Sequence, residues 1–181
     1  MVKFFKNNWL IMVLAMATMF LIAGKIYLTL NPEGKKVETQ SWNGIVPGSS
    51  SVNDVSSQIG DPVSSSDQNG SVVLEYKSDV GDLKHKVYAQ NNTVGLVKEQ
   101  IWGKEKLEDY QAKYNLPEGE YFGDYQESGY KVYAYPAQGL AVIAAPDDGF
   151  VLEKWYFEPL SLQEFLASWG EGLTLEEQGG F

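Results

Sequence analysis

Cysteine and arginine are absent from this chain, and histidine occurs only once, at His85. Without cysteine the chain has no disulfide, no thiolate metal site, no cysteine nucleophile and no cysteine to carry a lipid. A single histidine excludes a two-histidine metal site, and we predict that His85 is an ordinary strand residue. No other pattern in the sequence predicts a cofactor or a bound metal, so we expect neither, and we expect no catalysis.

Positive charge is also scarce. All 14 basic residues are lysines, and they oppose 24 acidic residues for a net charge of −10. From residue 31 to the end, 11 lysines face all 24 acidic residues, which gives a net charge of −13. A domain this acidic repels the phosphates of nucleic acids and of anionic lipid head groups. We therefore expect no nucleic-acid partner.

One long apolar run is present, close to the start. Residues 9–30, from Trp9 to Leu30, would form a helix about 33 Å long, enough to cross a hydrocarbon core of roughly 30 Å. A cleaved signal peptide is the alternative, but no small-x-small cleavage site directly follows the apolar core. We predict an uncleaved cell-membrane anchor, with residues 1–8 as a cytoplasmic tail and the remaining domain extracytoplasmic. A cytosol-facing domain is the alternative, because lysines flank both ends of the run.

An apolar stripe recurs three times at a spacing of 55 residues. Each copy places apolar side chains at i, i+3 and i+7 and ends on glycine or asparagine. The copies are Val52, Val55, Ile59 and Gly60; Leu107, Tyr110, Tyr114 and Asn115; and Leu162, Phe165, Trp169 and Gly170. One helix face followed by a stop signal has this pattern, so the sequence predicts three short helices. Ser161 and Glu164 form a capping-box sequence before the third helix.

Between the stripes the apolar period changes from helical to alternating, which predicts strands. The predicted strands cover residues 72–77, 84–89, 94–102, 130–135, 140–144 and 151–157. We predict an α+β fold: an N-terminal transmembrane helix, two tandem repeats of a helix and a three-stranded antiparallel meander, and a C-terminal helix. The predicted boundaries are a linker at 31–40, a domain at 41–170 made of units 41–103 and 104–160 with a closing helix at 161–170, and an acidic tail at 171–181. The pattern leaves open whether the strands form one sheet or two.

The start of the domain resembles a known family. Residues 45–48, Ile-Val-Pro-Gly, are followed by the first stripe and by Gly60-Asp61-Pro62. This order resembles the opening of the SmpA/OmlA (BamE-like) envelope domain, with its I-x-P-G turn and a short helix ending in L-G-x-P. A doubled version resembles the tandem architecture of the β-lactamase-inhibitor protein. The resemblance implies an envelope domain that binds other proteins, with no catalytic residue to carry over. The lipidated cysteine of that family is missing, and the predicted transmembrane helix takes its place.

The stretch after the second helix is both acidic and aromatic, and we predict that it is a binding loop. Exposed aromatic side chains in a long loop are typical of contact surfaces. The predicted contact residues are Tyr121, Phe122 and Tyr125, with the carboxylates Glu118, Glu120 and Asp124. A solvated loop and packing of the aromatic rings against the second sheet are the alternatives. A carboxylate pair such as Glu120 and Asp124 would suit acid–base catalysis only if it lay in a cleft.

These observations predict a membrane-anchored, extracytoplasmic module that binds another protein or an envelope component and does not catalyse a reaction. The alternative function is an inhibitor-type module that blocks a secreted enzyme with a concave sheet surface. A small carboxylate-based enzyme and a spacer domain are weaker alternatives. The sequence does not identify the protein partner.

Overall fold

The computed structural model describes residues 39–68, 70–123 and 128–175. Within these ranges the chain forms three eight-residue helices, eight strands and one 3-10 turn. The first unit contains α1 (Val52–Ile59), β1 (Ser64–Gln68), β2 (Ser71–Lys77), β3 (Lys84–Gln90) and β4 (Thr93–Gln100). The second unit contains α2 (Leu107–Tyr114), β5 (Gly119–Phe122), β6 (Lys131–Tyr135), the 3-10 turn (Pro136–Gln138), β7 (Leu140–Ala144) and β8 (Val151–Phe157), and α3 (Leu162–Trp169) follows.

All eight strands belong to one antiparallel sheet, with the order β1-β2-β3-β4-β8-β7-β6-β5. The last strand of each unit lies at the centre, where β4 pairs with β8. In that pair Glu99 lies opposite Lys154, and these two residues are 55 positions apart, which is the period of the repeat. A local two-fold axis of the repeat therefore passes between them. Because the two units meet there, they share one continuous sheet and its core.

The helices divide between the two faces of this sheet. Val55 of α1 and Leu107 and Tyr110 of α2 belong to the larger core cluster, and we call that side the two-helix face. Phe165 of α3 belongs to a second cluster on the opposite side, which we call the one-helix face. Side chains alternate between the faces along each strand, so both sides of the central pair are buried.

The helices begin at Val52, Leu107 and Leu162, at intervals of 55 residues. The predicted capping box of α3 is confirmed, because the Ser161 hydroxyl accepts from the Glu164 N–H at 3.3 Å and the Glu164 carboxylate accepts from the Ser161 N–H at 2.9 Å. α1 starts with an equivalent box between Ser51 and Asp54. Each box satisfies backbone donors that the first turn leaves unpaired, so these starts are fixed locally.

The predicted three-stranded meander is wrong, because each unit has a helix followed by four strands. The additional strands are β1 and β5, which lie at the two edges of the sheet. All five residues of β1 are exposed and polar, so no apolar alternation marks it, and its backbone pairing with β2 creates the strand. β5 has only four residues and lies inside the stretch predicted to be a loop. The sequence pattern left open whether the strands form one sheet or two, and the structure contains a single eight-stranded sheet in the described ranges.

The predicted transmembrane helix, residues 9–30, lies outside the described residues, as do the cytoplasmic tail and residues 31–38 of the linker. None of the helices in the described ranges is long and apolar enough to cross a membrane. The transmembrane part of the predicted fold class therefore has no support from the structure.

Candidate binding site on the one-helix face

α3 packs mainly on the half of the one-helix face that the second unit forms, and its Trp169 ring extends to Gly95 of the first unit. Its fully buried Phe165 ring lies 5.1 Å from the Phe157 ring and 6.5 Å from the Trp155 ring, measured between centroids. On the first unit's half, the register places Lys86 beside Lys98 and Lys98 beside Trp155. We call this partly covered surface the open face. It comprises the half-buried Lys84, Lys86, Tyr88 and Lys98 of the first unit, the buried Trp155 of β8 and the half-buried Trp169 of α3.

The open face contains a cavity of about 210 Å³. Lys84 and Lys86 of β3 and Lys98 of β4 line it, together with the rings of Trp155 and Trp169. The Lys98 ammonium lies 4.0 Å from the centroid of the Trp155 ring and 5.7 Å from that of Tyr88. A cation over an aromatic face is attracted by the ring quadrupole, so this stacking orients the Lys98 head group at the cavity wall.

A buried carboxylate forms the floor of the cavity. Glu153 of β8 is 5% exposed and accepts hydrogen bonds from the Gln100 amide and from the Trp155 indole N–H. Gln100 in turn accepts from the Trp102 indole N–H at 3.2 Å. Burial raises the pKa of Glu153, and Lys98 and the two hydrogen bonds oppose that rise. Both carboxylate oxygens already have protein donors, so Glu153 is a structural part of the floor.

A second cavity, of about 540 Å³, adjoins the first, and Tyr88 and Trp169 line both. Its other walls include Thr93 at the start of β4 and Glu158 after β8. The Trp169 ring reaches this position because residue 95 is glycine, where an added Cβ would lie 3.2 Å from the ring. The two cavities together form a groove beside α3, with aromatic rings at its middle and lysines at one end.

The two-helix face carries a polar cluster at the local two-fold axis. Lys154 lies 2.9 Å from Glu105 and 3.4 Å from Glu99, and the Tyr156 hydroxyl donates to Glu99 at 2.6 Å. The Tyr110 hydroxyl donates to Glu105. Burial raises the pKa values of both tyrosines, and their carboxylate partners raise them further.

The pKa of Glu105 indicates the role of the carboxylates in this cluster. Burial pushes its pKa upward, but the hydrogen bonds from Tyr110 and Lys154 outweigh burial and hold the pKa below its ordinary value. A carboxylate that stays ionised in this way is an ion-pair partner, whereas a general acid near neutral pH needs a raised pKa. The cluster is therefore best explained as a link between β4, β8 and α2.

The predicted contact residues lie at the far edge of the sheet, on or next to β5. Glu118 and Glu120 are exposed, and Glu120 pairs with Lys131 at 3.6 Å. Phe122 is half-buried below the Lys131 ammonium, whereas Tyr121 is buried in the core of the one-helix face. Because side chains alternate between the two sides of a strand, Tyr121 faces the core of the one-helix face, whereas Glu120 and Phe122 face the other way. The other two predicted residues, Asp124 and Tyr125, lie outside the described residues.

Sequence reasoning missed the open face, although part of its signal is visible. Lys84 and Lys86 alternate with His85 and Val87 on β3, and Lys98 follows Val97 on β4. Three lysines on one face of two strands are a notable group in a chain with 14 lysines and 24 acidic residues. The pairing of β4 with β8, which adds Trp155 and Glu153, joins residues 55 positions apart and leaves no local pattern.

The chain matches no protein-family model and no curated protein. It is similar to the crystal structure of a DUF4309 family protein (YjgB) from Bacillus subtilis, with 14% identity over 66% of this chain and 86% of that chain and a TM-score of 0.47. It is also similar to a cysteine-rich secretory protein (SAV1118) from Staphylococcus aureus, with 11% identity over 71% of this chain and 50% of that chain and a TM-score of 0.44. Neither is a BamE-like protein, so the predicted BamE-like character has no support from these comparisons.

Proposed function

We propose that this chain is a binding module without catalytic activity and that a partner protein docks on the open face. One observation carries the proposal: two adjoining cavities lie beside α3, and the smaller one is where the first unit's half of the one-helix face meets Val132, Ile143 and Trp155 of the second unit. A sheet face normally buries its side chains against another layer, so the half-buried large side chains around these cavities can gain further burial against a partner.

The side chains of the open face suit protein recognition. Tyr88 and Trp169 are half-buried, with fixed rings that offer a large contact area. Tyrosine and tryptophan dominate the energetics of protein interfaces because they bury much area and lose little conformational freedom. The two residues lie at the middle of the groove, where a partner would exclude water from both.

The proposal is tested by capture of partners with the full-length chain and with surface variants. Thr93→Arg places a long side chain at the exposed rim of the larger cavity, and Tyr88→Ala removes a central ring. The matched control is Glu118→Ala/Glu120→Ala, which alters the predicted contact surface on β5 and leaves the open face intact. We expect a protein that wild type and the β5 variant retain and that both open-face variants lose, and binding of the purified protein to repeat this pattern in calorimetry.

The opposite pattern has a clear meaning. A partner that still binds the Thr93→Arg and Tyr88→Ala variants, and is lost with the β5 variant, would transfer the contact surface to Glu118, Glu120 and their neighbours. Recovery of no specific protein would contradict the proposed function itself. If the retained partner is an enzyme whose activity falls when the complex forms, this chain is an inhibitor-type module.

A further inference from the structure

The charge of the smaller cavity runs against that of the chain. The molecule carries a net charge of −10, yet three lysines converge on this one cavity. Two carboxylates face it, Glu153 from the floor and Glu171 from the segment after α3, and Glu75 of β2 lies 3.9 Å from the Lys86 ammonium at the rim. Among the described residues, the lining therefore has an excess of one positive charge.

The size of the cavity limits what enters it. Its volume of about 210 Å³ is below the roughly 300–1,000 Å³ of sites that enclose drug-sized ligands. A single side chain fits such a space, with the rest of its chain continuing into the adjoining cavity of about 540 Å³ past Tyr88 and Trp169. The groove therefore matches a peptide segment better than a separate small molecule.

We propose that the smaller cavity binds a carboxylate side chain, glutamate or aspartate, from an acidic segment of the partner protein. This inference rests on the proposed binding function and names the chemistry that the open face recognises. The Lys84, Lys86 and Lys98 ammonium groups donate hydrogen bonds to the incoming carboxylate, and the Trp155 and Trp169 rings contact its methylene groups. Charge-assisted hydrogen bonds of this kind are about twice as strong as neutral ones.

A carboxylate fits better than a phosphate group. The three lysines of the described lining exceed Glu153 and Glu171 by one positive charge, which one carboxylate neutralises and a phosphate dianion would exceed.

The test uses a displayed library of random short peptides, selected on the full-length chain. We expect enriched peptides to share a glutamate or aspartate next to an aromatic or aliphatic residue. A synthetic copy of the best peptide is then compared with copies that carry glutamine or phosphoserine in place of the shared acid. We expect the glutamine copy to bind roughly tenfold more weakly, and the phosphoserine copy to bind more weakly than the original.

Three lysine variants connect this result to the cavity. Lys98→Gln and Lys86→Gln should each weaken the original peptide and have little effect on the glutamine copy. Lys113→Gln, on α2 at the opposite face, changes the net charge equally and should leave peptide binding unchanged.

Three results would overturn the carboxylate assignment: enrichment of neutral or basic peptides, equal binding of the glutamine copy, or stronger binding of the phosphoserine copy. If such peptides still lost affinity with Thr93→Arg, the proposed binding function would stand. If no enriched peptide responded to any open-face variant, both proposals would fail.

Discussion

The second unit carries tyrosine at several positions where the first unit carries an aliphatic side chain. Three such pairs, each 55 residues apart, are Val55 and Tyr110, Ile59 and Tyr114, and Ile101 and Tyr156. In the first unit these side chains pack into an apolar core and need no partner. In the second unit two of the hydroxyls bind Glu105 and Glu99, and Lys154 joins both carboxylates. One backbone plan thus supports an apolar contact in one unit and a polar cluster in the other.

The units differ again on the one-helix face, in the opposite sense. Ala141 and Ile143 of β7 in the second unit lie on this face and are buried in its core cluster. The equivalent residues of β3 in the first unit, Lys86 and Tyr88, are only half-buried. The second unit therefore supplies most of the buried surface on this face, and the first unit supplies the half-buried lysines and Tyr88. The buried core and the lysines of the proposed binding surface thus come largely from different copies of the same repeat.

The largest effect on this difference between the units is expected from a substitution that weakens the packing of α3 on the sheet. Phe165→Ala removes a fully buried ring that contacts Phe157 and Trp155, so we expect a loss of about 3–5 kcal/mol in the free energy of unfolding. Gln163→Ala, at an exposed position of the same helix, is the control and should change the stability by less than about 0.5 kcal/mol. Chemical denaturation measures both. A loss below about 1 kcal/mol for Phe165→Ala would mean that α3 contributes little and that both halves of the face are open in solution.

The polar cluster of the second unit is broken by Lys154→Met. The substitution leaves Glu99 and Glu105 without their shared cation, and we expect a loss of roughly 3 kcal/mol, the low end for a buried pair. The low end applies because the Glu105 side chain keeps 40% exposure. Lys131→Met is the control, since its pair with half-exposed Glu120 is worth about 0–1 kcal/mol. Equal losses for the two variants would show that the cluster is no more than a surface ion pair.

The helices could be predicted from the sequence because their signals are local. An apolar stripe, a capping residue and a stop residue lie within about three turns of chain, and Ser161 with Glu164 shows this at α3. β1 and β5 could not, because an exposed edge strand is defined by its partner and not by its own pattern. The open face depends on the β4–β8 pairing and on the side that α3 covers. Both are set by tertiary packing, because the sequence pattern is equally compatible with other strand pairings and with α3 on the other face.

Smaller losses of stability are expected from single substitutions at equivalent positions of the two units. Tyr156→Phe removes the hydroxyl that donates to Glu99 at 2.6 Å, and we expect a loss of about 1–2 kcal/mol in the free energy of unfolding. At the equivalent position of the first unit, Ile101→Val removes one methylene and should cost about 0.5–1.5 kcal/mol. The two losses are similar in size but differ in salt dependence, because only the first alters a charged cluster. Denaturation at low and high salt measures this difference, and identical salt responses would contradict it.

The smallest effect concerns Glu153 below the open face, and it depends on pH. Because burial raises its pKa above the ordinary 4.5, the folded state holds this proton more tightly than the unfolded state does. Ionisation of the buried Glu153 carboxylate therefore lowers the free energy of unfolding. This penalty is absent below pH 4.5 and grows as the pH rises through the folded pKa. Glu153→Gln removes it, so the stability of wild type relative to the variant should fall as the pH rises from about 4 to 8.

The side-chain oxygen of the glutamine in this variant still accepts a hydrogen bond from Trp155, but its amide nitrogen cannot accept one from Gln100. The variant therefore loses a constant amount of stability in addition to its pH-dependent gain. Only the slope of the difference with pH therefore reports on the charge. His85, whose pKa burial lowers, is common to both proteins and cancels in the comparison. Denaturation across this pH range measures the slope. A difference that stays flat would mean that Lys98, Lys86 and the two hydrogen bonds fully offset burial, and a difference that rises would mean that they hold the carboxylate in its charged form.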